Sequence, residues 1–171
     1  MYQDYKDLLS AFQSHGVKYL VVGGFAVSYH SQPRFTKDID IFISADLENA
    51  KATYAALASF GTALKGVTPE DFTDRNSFFR FGRDPKGFDI LPAIPGVDFD
   101  AAWERRVETV IDPATGLKAN IISAEDLIAS KLASGRARDL ADVEDIRKAA
   151  EGQGPKPAKT NPPEPTGGPR A

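Results

Sequence analysis

The sequence predicts a mixed α/β (α+β) fold, a mixed β-sheet with helices packed against it. Three observations carry this expectation. Apolar residues recur at helical spacing in segments with recognisable ends, such as the one opened by Asp46 and closed by Gly61. Between these segments lie apolar runs of strand length, bounded by Gly and Pro. Helical and strand segments are interspersed along the chain, and helices that follow strands in this way pack onto the sheet.

The elements follow in order. Residues 4–14 form an amphipathic helix with Tyr5, Leu8, Leu9 and Phe12 on one face, stopped at Gly16. Residues 17–22 are a buried strand, Gly23-Gly24 a turn, and residues 25–30 a short helix. Residues 38–43 are a second strand. Asp46 caps a helix over 47–60 that Gly61 ends. Residues 64–67 are read as a weak strand. Strands over 78–81 and 88–91 are joined by Asp84-Pro85-Lys86-Gly87, with Pro and Gly where a type I turn favours them. A short helix over 99–106 precedes a hairpin of strands 107–111 and 117–121 around Pro113 and Gly116. Ser123-Ala124-Glu125-Asp126 opens a helix over 124–134, and a last helix spans about 138–150 beyond Gly135. Phe78, Phe79 and Trp103 are expected in the core.

The chain has 171 residues, 42% hydrophobic and 26% charged, enough to bury a core as one domain over residues 1–151. From residue 152 to 171 six of the twelve prolines gather and no large apolar residue occurs, the composition of a disordered tail. A net charge of -3 argues against a dedicated nucleic-acid binder but leaves room for a local RNA-facing patch. The absence of cysteine excludes disulfides and thiolate metal sites, and His15 and His30 are too few for a histidine-rich zinc site. No apolar run reaches the roughly 18 residues of a membrane span. With a polar, acidic N-terminal stretch, this leads to the expectation of a cytoplasmic protein.

The most informative stretch runs from Gly23 to Ile43. On a strand, positions i and i+2 share a face, so Asp38 and Asp40 point one way while Ile39, Ile41 and Ile43 point into the core. Two carboxylates side by side repel each other, and a divalent cation with a phosphate chain beyond it relieves that cost. The glycines before them let backbone amides approach a phosphate at a helix N-terminus, although a Gly-Gly turn is more often a plain strand-to-helix connection. Asp89 lies inside the apolar run Phe88-Asp89-Ile90-Leu91 and cannot be buried alone. It is either salt-bridged to Arg80 or Arg83, or a third carboxylate that ligates a metal or acts as general base. Arg34 and Thr36 have the chemistry to bind phosphate oxygens, with an ordinary surface ion pair as the alternative for Arg34. Lys131, Asp139 and Asp142 fall on the two last helices, and spacing alone favours a pair of helices decorated with salt bridges, with Asp139 and Asp142 on one face.

Together, Gly23-Gly24, Asp38-Ile39-Asp40 and Asp89 resemble the signature of the DNA polymerase β-like nucleotidyltransferase superfamily: a Gly-Gly or Gly-Ser turn, about a dozen residues, Asp-x-Asp, then a later acid on an adjacent strand. Arg34-Phe35-Thr36-Lys37-Asp38-Ile39-Asp40 looks like the Arg-Ser/Thr-x-Asp-x-Asp form of AbiEii-type toxins and related bacterial nucleotidyltransferases, with Phe35 inserted where those relatives often have Arg and Thr adjacent. Lys131, Arg138-Asp139 and Asp142 look like that group's helical motif. The resemblance implies a nucleotidyltransferase fold and in-line attack of an acceptor hydroxyl on the α-phosphate of a nucleoside triphosphate, with pyrophosphate leaving. It implies Mg²⁺ (or Mn²⁺) held on the triphosphate by Asp38 and Asp40, and a second ion placed with the help of Asp89, which also deprotonates the acceptor hydroxyl. It further implies phosphate contacts from Gly23, Gly24, Arg34 and Thr36, charge neutralisation by Lys131 from the helical side, and Asp139 and Asp142 among the nucleotide-binding residues. The acceptor it leaves open is RNA such as tRNA, a protein or a small molecule, and a cognate antitoxin is a possible partner. A non-catalytic nucleotide-binding or regulatory module on the same scaffold is the alternative function.

Overall fold

The computed structural model describes residues 1–83 and 86–152. Its elements are α1 (Gln3–Ser14), β1 (Tyr19–Val22), α2 (Gly23–His30), β2 (Ile39–Ile43), α3 (Leu47–Phe60), β3 (Phe79–Phe81), β4 (Phe88–Leu91), α4 (Phe99–Glu104), β5 (Val107–Asp112), β6 (Leu117–Ile121), α5 (Ala124–Ser134) and α6 (Ala137–Gly152). The six strands form one mixed sheet in the order β3-β4-β2-β1-β6-β5. β1 pairs antiparallel with β2 and parallel with β6, and β2 pairs parallel with β4. Hairpins β3–β4 and β5–β6 close the two edges.

The sheet's centre is its most apolar part. Ile39, Ile41 and Ile43 of β2 and Leu20 and Val21 of β1 are wholly buried, as are Leu8, Leu9 and Phe12 of α1. Strands covered on both faces read as continuous apolar runs, which is why 19–22 show no alternation. α1 packs against α3, and α2 packs against β1, β2, α5 and α6. The caps form as their residue types dictate. The Asp46 carboxylate accepts the Asn49 N–H at 2.8 Å, and Gly61 ends α3 at φ +95°. The Ser123 hydroxyl likewise accepts the Asp126 N–H at 3.1 Å to open α5.

Several boundaries differ from expectation, and one element does not form. Residues 64–67 are not a strand. Val67 N–H donates to Leu64 O at 3.0 Å, closing a turn through Gly66 at φ +81°, and a short 3-10 segment Pro69–Thr73 follows. Leu64 and Val67 are apolar because they pack against the core from a turn. α2 starts at Gly23 itself, so the glycines are the first turn of the helix and not a separate loop. β2 starts at Ile39, which leaves Asp38 immediately before the strand. Gly152 closes α6. The rest of the expected tail, 153–171, and Asp84 and Pro85 of the expected 84–87 turn lie outside the described residues. Among the described residues, no helix is long and apolar enough to cross a membrane.

Candidate active site

A single open cleft of about 860 Å³ runs between the sheet and the pair α5–α6. Gly23, Gly24, Arg34, Thr36, Asp38, Asp40, Asp89, Lys131, Asp139 and Asp142 all line it. Residues from five separate stretches of sequence thus meet on one surface.

The floor is built by register. Val22 lies opposite Asp40 across β1–β2, Asp40 opposite Asp89 across β2–β4, and Asp89 opposite Arg80 across β3–β4. These residues form one row across four strands, and neighbours in such a row are roughly 5 Å apart. Two carboxylates and a guanidinium are therefore set side by side, with Asp38 at the entrance of β2. Asp40 is pushed up to about 7, first by burial and then by the Asp89 and Asp38 carboxylates and a hydrogen bond to Asp89, with Arg80 opposing. Ionised, Asp40 is a half-buried anion facing two others and is short of positive charge.

Glycine at 23 is a requirement of this floor. Its φ is +64°, and a Cβ there would lie 2.0 Å from Asp40 Oδ2. A Cβ on Gly24 would lie 2.5 Å from Thr36 Oγ1, so the start of α2 sits directly on the carboxylate and the hydroxyl. Among the described residues, no side chain caps this N-terminus, which leaves its first N–H groups for another acceptor. Tyr5 of α1, absent from the sequence-level candidates, positions the floor from below. Its buried hydroxyl sits 2.7 Å from Lys37 O and 2.8 Å from Gly87 O, donating to one at a time and tying together the chain entering β2 and β4. The only sequence signal for it is an amphipathic helix whose buried face carries one phenol.

The opposite wall is a network of charges. Arg34 pairs with Asp142, Lys131 with Asp142 at 2.9 Å and Asp139 at 3.3 Å, and Arg136 with Asp139 at 2.7 Å. Burial alone would raise Asp139, yet hydrogen bonds from Arg136, Ser134 and Lys131 hold it down to about 2. Asp142 is likewise lowered by Lys131 and Arg34 against its own burial. The salt bridges expected from helical spacing are thus present, and they face the cleft. Among the described residues, Arg34 Nε is a buried donor with no acceptor. Arg138 also lines the cleft and is exposed. Phe78, expected in the core, is 65% exposed on the cleft, while Phe79 packs on Phe72 and Trp103 stacks on Phe99. β3 starts at Phe79, one residue later than expected, and neighbouring residues of an extended chain face opposite ways, so only one member of the Phe78-Phe79 pair enters the core.

A family model described as "Nucleotidyltransferase of unknown function (DUF6036)" matches residues 3–149. The chain belongs to this nucleotidyltransferase family. No curated protein matches it. Among solved structures, the lincosamide antibiotic adenylyltransferase LnuA, determined with lincomycin bound, is similar with a TM-score of 0.56 and 18% identity. That likeness covers 87% of this chain and 98% of LnuA, and it shows that the two share a fold. The superfamily expected from Gly23-Gly24 and Asp38-Ile39-Asp40 therefore stands. The narrower AbiEii-type affinity rests on the motif resemblance alone.

The donor set of this DUF6036 nucleotidyltransferase suits a hard cation. Asp38 and Asp40 offer carboxylate oxygens to the cleft, and Mg²⁺ is usually held by one or two carboxylates together with substrate phosphates. Among the described residues, no three acidic or histidine side chains are gathered as a self-contained metal cage. Asp89 is engaged by an arginine: its two oxygens accept Arg80 Nε at 2.8 Å and Nη2 at 3.0 Å. Of the two arginines that the sequence offered Asp89, the cross-strand register selects Arg80.

Proposed function

We propose that this DUF6036 nucleotidyltransferase moves a nucleoside monophosphate from a nucleoside triphosphate to the hydroxyl of an acceptor, releasing pyrophosphate. The observation that carries this is the convergence of the α2 N-terminus, Asp38, Asp40 and Asp89 on one cleft whose far wall holds Arg34 and Lys131. Asp38 and Asp40 would hold Mg²⁺ (or Mn²⁺), which supplies charge neutralisation and polarisation of the phosphoryl oxygens. The uncapped N–H groups at Gly23 and Gly24 offer hydrogen bonds to phosphate, and Arg34, anchored through Asp142 on the cleft, adds a positive charge for the same purpose. Lys131, held between Asp139 and Asp142, sets the potential of the helical wall.

Asp89 stands in register with Asp40 and keeps lone pairs beyond the two that Arg80 uses, so it can accept the proton of the attacking hydroxyl. The bond formed joins the acceptor oxygen to the α-phosphorus. The bond broken is the one to the bridging oxygen of pyrophosphate. RNA, a protein and a small molecule all supply a suitable hydroxyl, and a toxin–antitoxin role is a reading of the motifs.

The test is incubation with each α-phosphate-labelled triphosphate, magnesium and cell extract. Label transferred to an acceptor with release of pyrophosphate, and lost in Asp38→Ala, supports the reading. Equal transfer by Asp38→Ala refutes the assigned role, and magnesium-dependent binding without pyrophosphate release points to a non-catalytic nucleotide-binding module.

A further inference from the structure

We infer that Arg80 takes the place of a second metal ion, so that this site works with one divalent cation held by Asp38 and Asp40. The inference rests on the function proposed above and concerns how its charges are balanced. Four observations lead to it. Arg80, Asp89 and Asp40 occupy one row across β3, β4 and β2, so the guanidinium is the immediate neighbour of the third carboxylate. Both Asp89 oxygens are engaged in a two-pronged bond, Nε to Oδ1 at 2.8 Å and Nη2 to Oδ2 at 3.0 Å. This geometry is the strong, directional form of a carboxylate–arginine pair. Arg80 is also carried on a strand and not on a loop. Its neighbours Phe79 and Phe81 pack against Phe72 and Phe88, which fixes the backbone beneath it. Finally, among the described residues the acids do not form a three-ligand metal cage.

A second divalent ion bridging Asp40 and Asp89 would have to share the Asp89 carboxylate with Arg80 and sit against its guanidinium, a like charge at close range. The fixed cation is already in place and needs no dehydration at the moment of binding. Arg80 reaches Asp40 and Asp38 electrostatically as well as Asp89, as expected of a cation serving the whole cluster. Its side chain remains 66% exposed, so it is open to the cleft while it holds Asp89.

The test counts manganese. Protein is mixed one-to-one with the α,β-methylene analogue of the triphosphate that most raises its melting temperature. Mn²⁺ is then titrated in, and free ion is followed by electron paramagnetic resonance. The wild-type complex should bind one Mn²⁺ and Arg80→Met two. Two ions in the wild type overturn the inference but leave the proposed function standing. One ion in both proteins also overturns it, because something other than Arg80 would set the count. No bound ion in the wild type overturns the proposed function itself. Where Arg80→Met does not fold, Arg80→Gln keeps an amide donor for Asp89 and is read in the same way.

Discussion

Gly23→Ala separates the two demands that the structure places on one residue. At φ +64° an alanine adopts a left-handed backbone, which costs roughly 1–2 kcal/mol. Its Cβ would also lie 2.0 Å from Asp40 Oδ2 and 2.9 Å from Cγ, so the carboxylate must leave its position. Gly16→Ala is the matching control, since Gly16 has φ +65° and nothing within 4 Å of its Cβ. Both variants gain the same unfolded-state entropy benefit, so their difference isolates the collision with Asp40. The expected cost is about 1–2 kcal/mol for Gly16→Ala, with the collision adding a similar amount in Gly23→Ala. At about 2–4 °C of melting temperature per kcal/mol for a chain of this size, thermal denaturation resolves the two. Repeating the melts with magnesium and triphosphate reads the site directly. Gly16→Ala should keep the full ligand-induced shift and Gly23→Ala should lose most of it. Equal stability of the two variants, together with a full ligand shift in Gly23→Ala, would refute the claim that this glycine makes room for the Asp40 carboxylate.

Two further predictions concern charge. Because the folded protein raises Asp40 from 3.8 to about 7, the native state holds a proton there that the unfolded chain has released. Its contribution to stability is therefore full below about pH 4 and is lost as pH rises towards 7, by about 4 kcal/mol at the outside. In metal-free buffer, denaturant midpoints should fall across that window, and the stabilisation given by magnesium plus triphosphate should grow, since the cation needs the ionised form. Midpoints that rise steadily from pH 4 to 7 would contradict the Asp40 assignment. Lys131→Met removes the cation shared by Asp139 and Asp142, whose side chains are 4% and 3% exposed. Each acid keeps one arginine, so the expected loss is about 2–4 kcal/mol in urea denaturation, with weaker triphosphate binding. A stability within 0.5 kcal/mol of wild type, roughly the scatter of surface substitutions, would show that the network is not holding the wall together.

How far the sequence can be read depends on whether a signal is local. Asp38-Ile39-Asp40 could be placed because strand alternation is a local rule, and the fully buried isoleucines beside acids that line the cleft are its direct product. The caps at Asp46, Gly61 and Ser123 are local for the same reason. Asp89 was legible as an anomaly, a charge inside an apolar run, but its partner was not. Choosing Arg80 over Arg83 requires the β3–β4 register, which a hairpin turn sets at a distance. Asp139 and Asp142 could be placed on one face by helical spacing and Lys131 joined to them by the motif, while the tie from Asp142 to Arg34, more than a hundred residues earlier, belongs to tertiary packing. Residues 64–67 failed because Leu64 and Val67 serve the core from a turn, and an apolar pair at a turn looks like a short strand. Phe78 failed because hydrophobicity alone does not say which of two adjacent phenylalanines faces outward. Tyr5 was visible as a core residue, and only the positions of the Lys37 and Gly87 carbonyls reveal what its hydroxyl does.

The central claim is that Asp38 and Asp40 bind a divalent ion together with a triphosphate, and thermal unfolding of the wild type beside Asp40→Asn tests it most directly. With magnesium and triphosphate at about a hundred times the dissociation constant, linkage predicts roughly 2.7 kcal/mol of stabilisation in the wild type. Neither component alone should give this shift, and Asp40→Asn should show none. An Asp40→Asn protein that gains the same stabilisation as wild type would contradict the account.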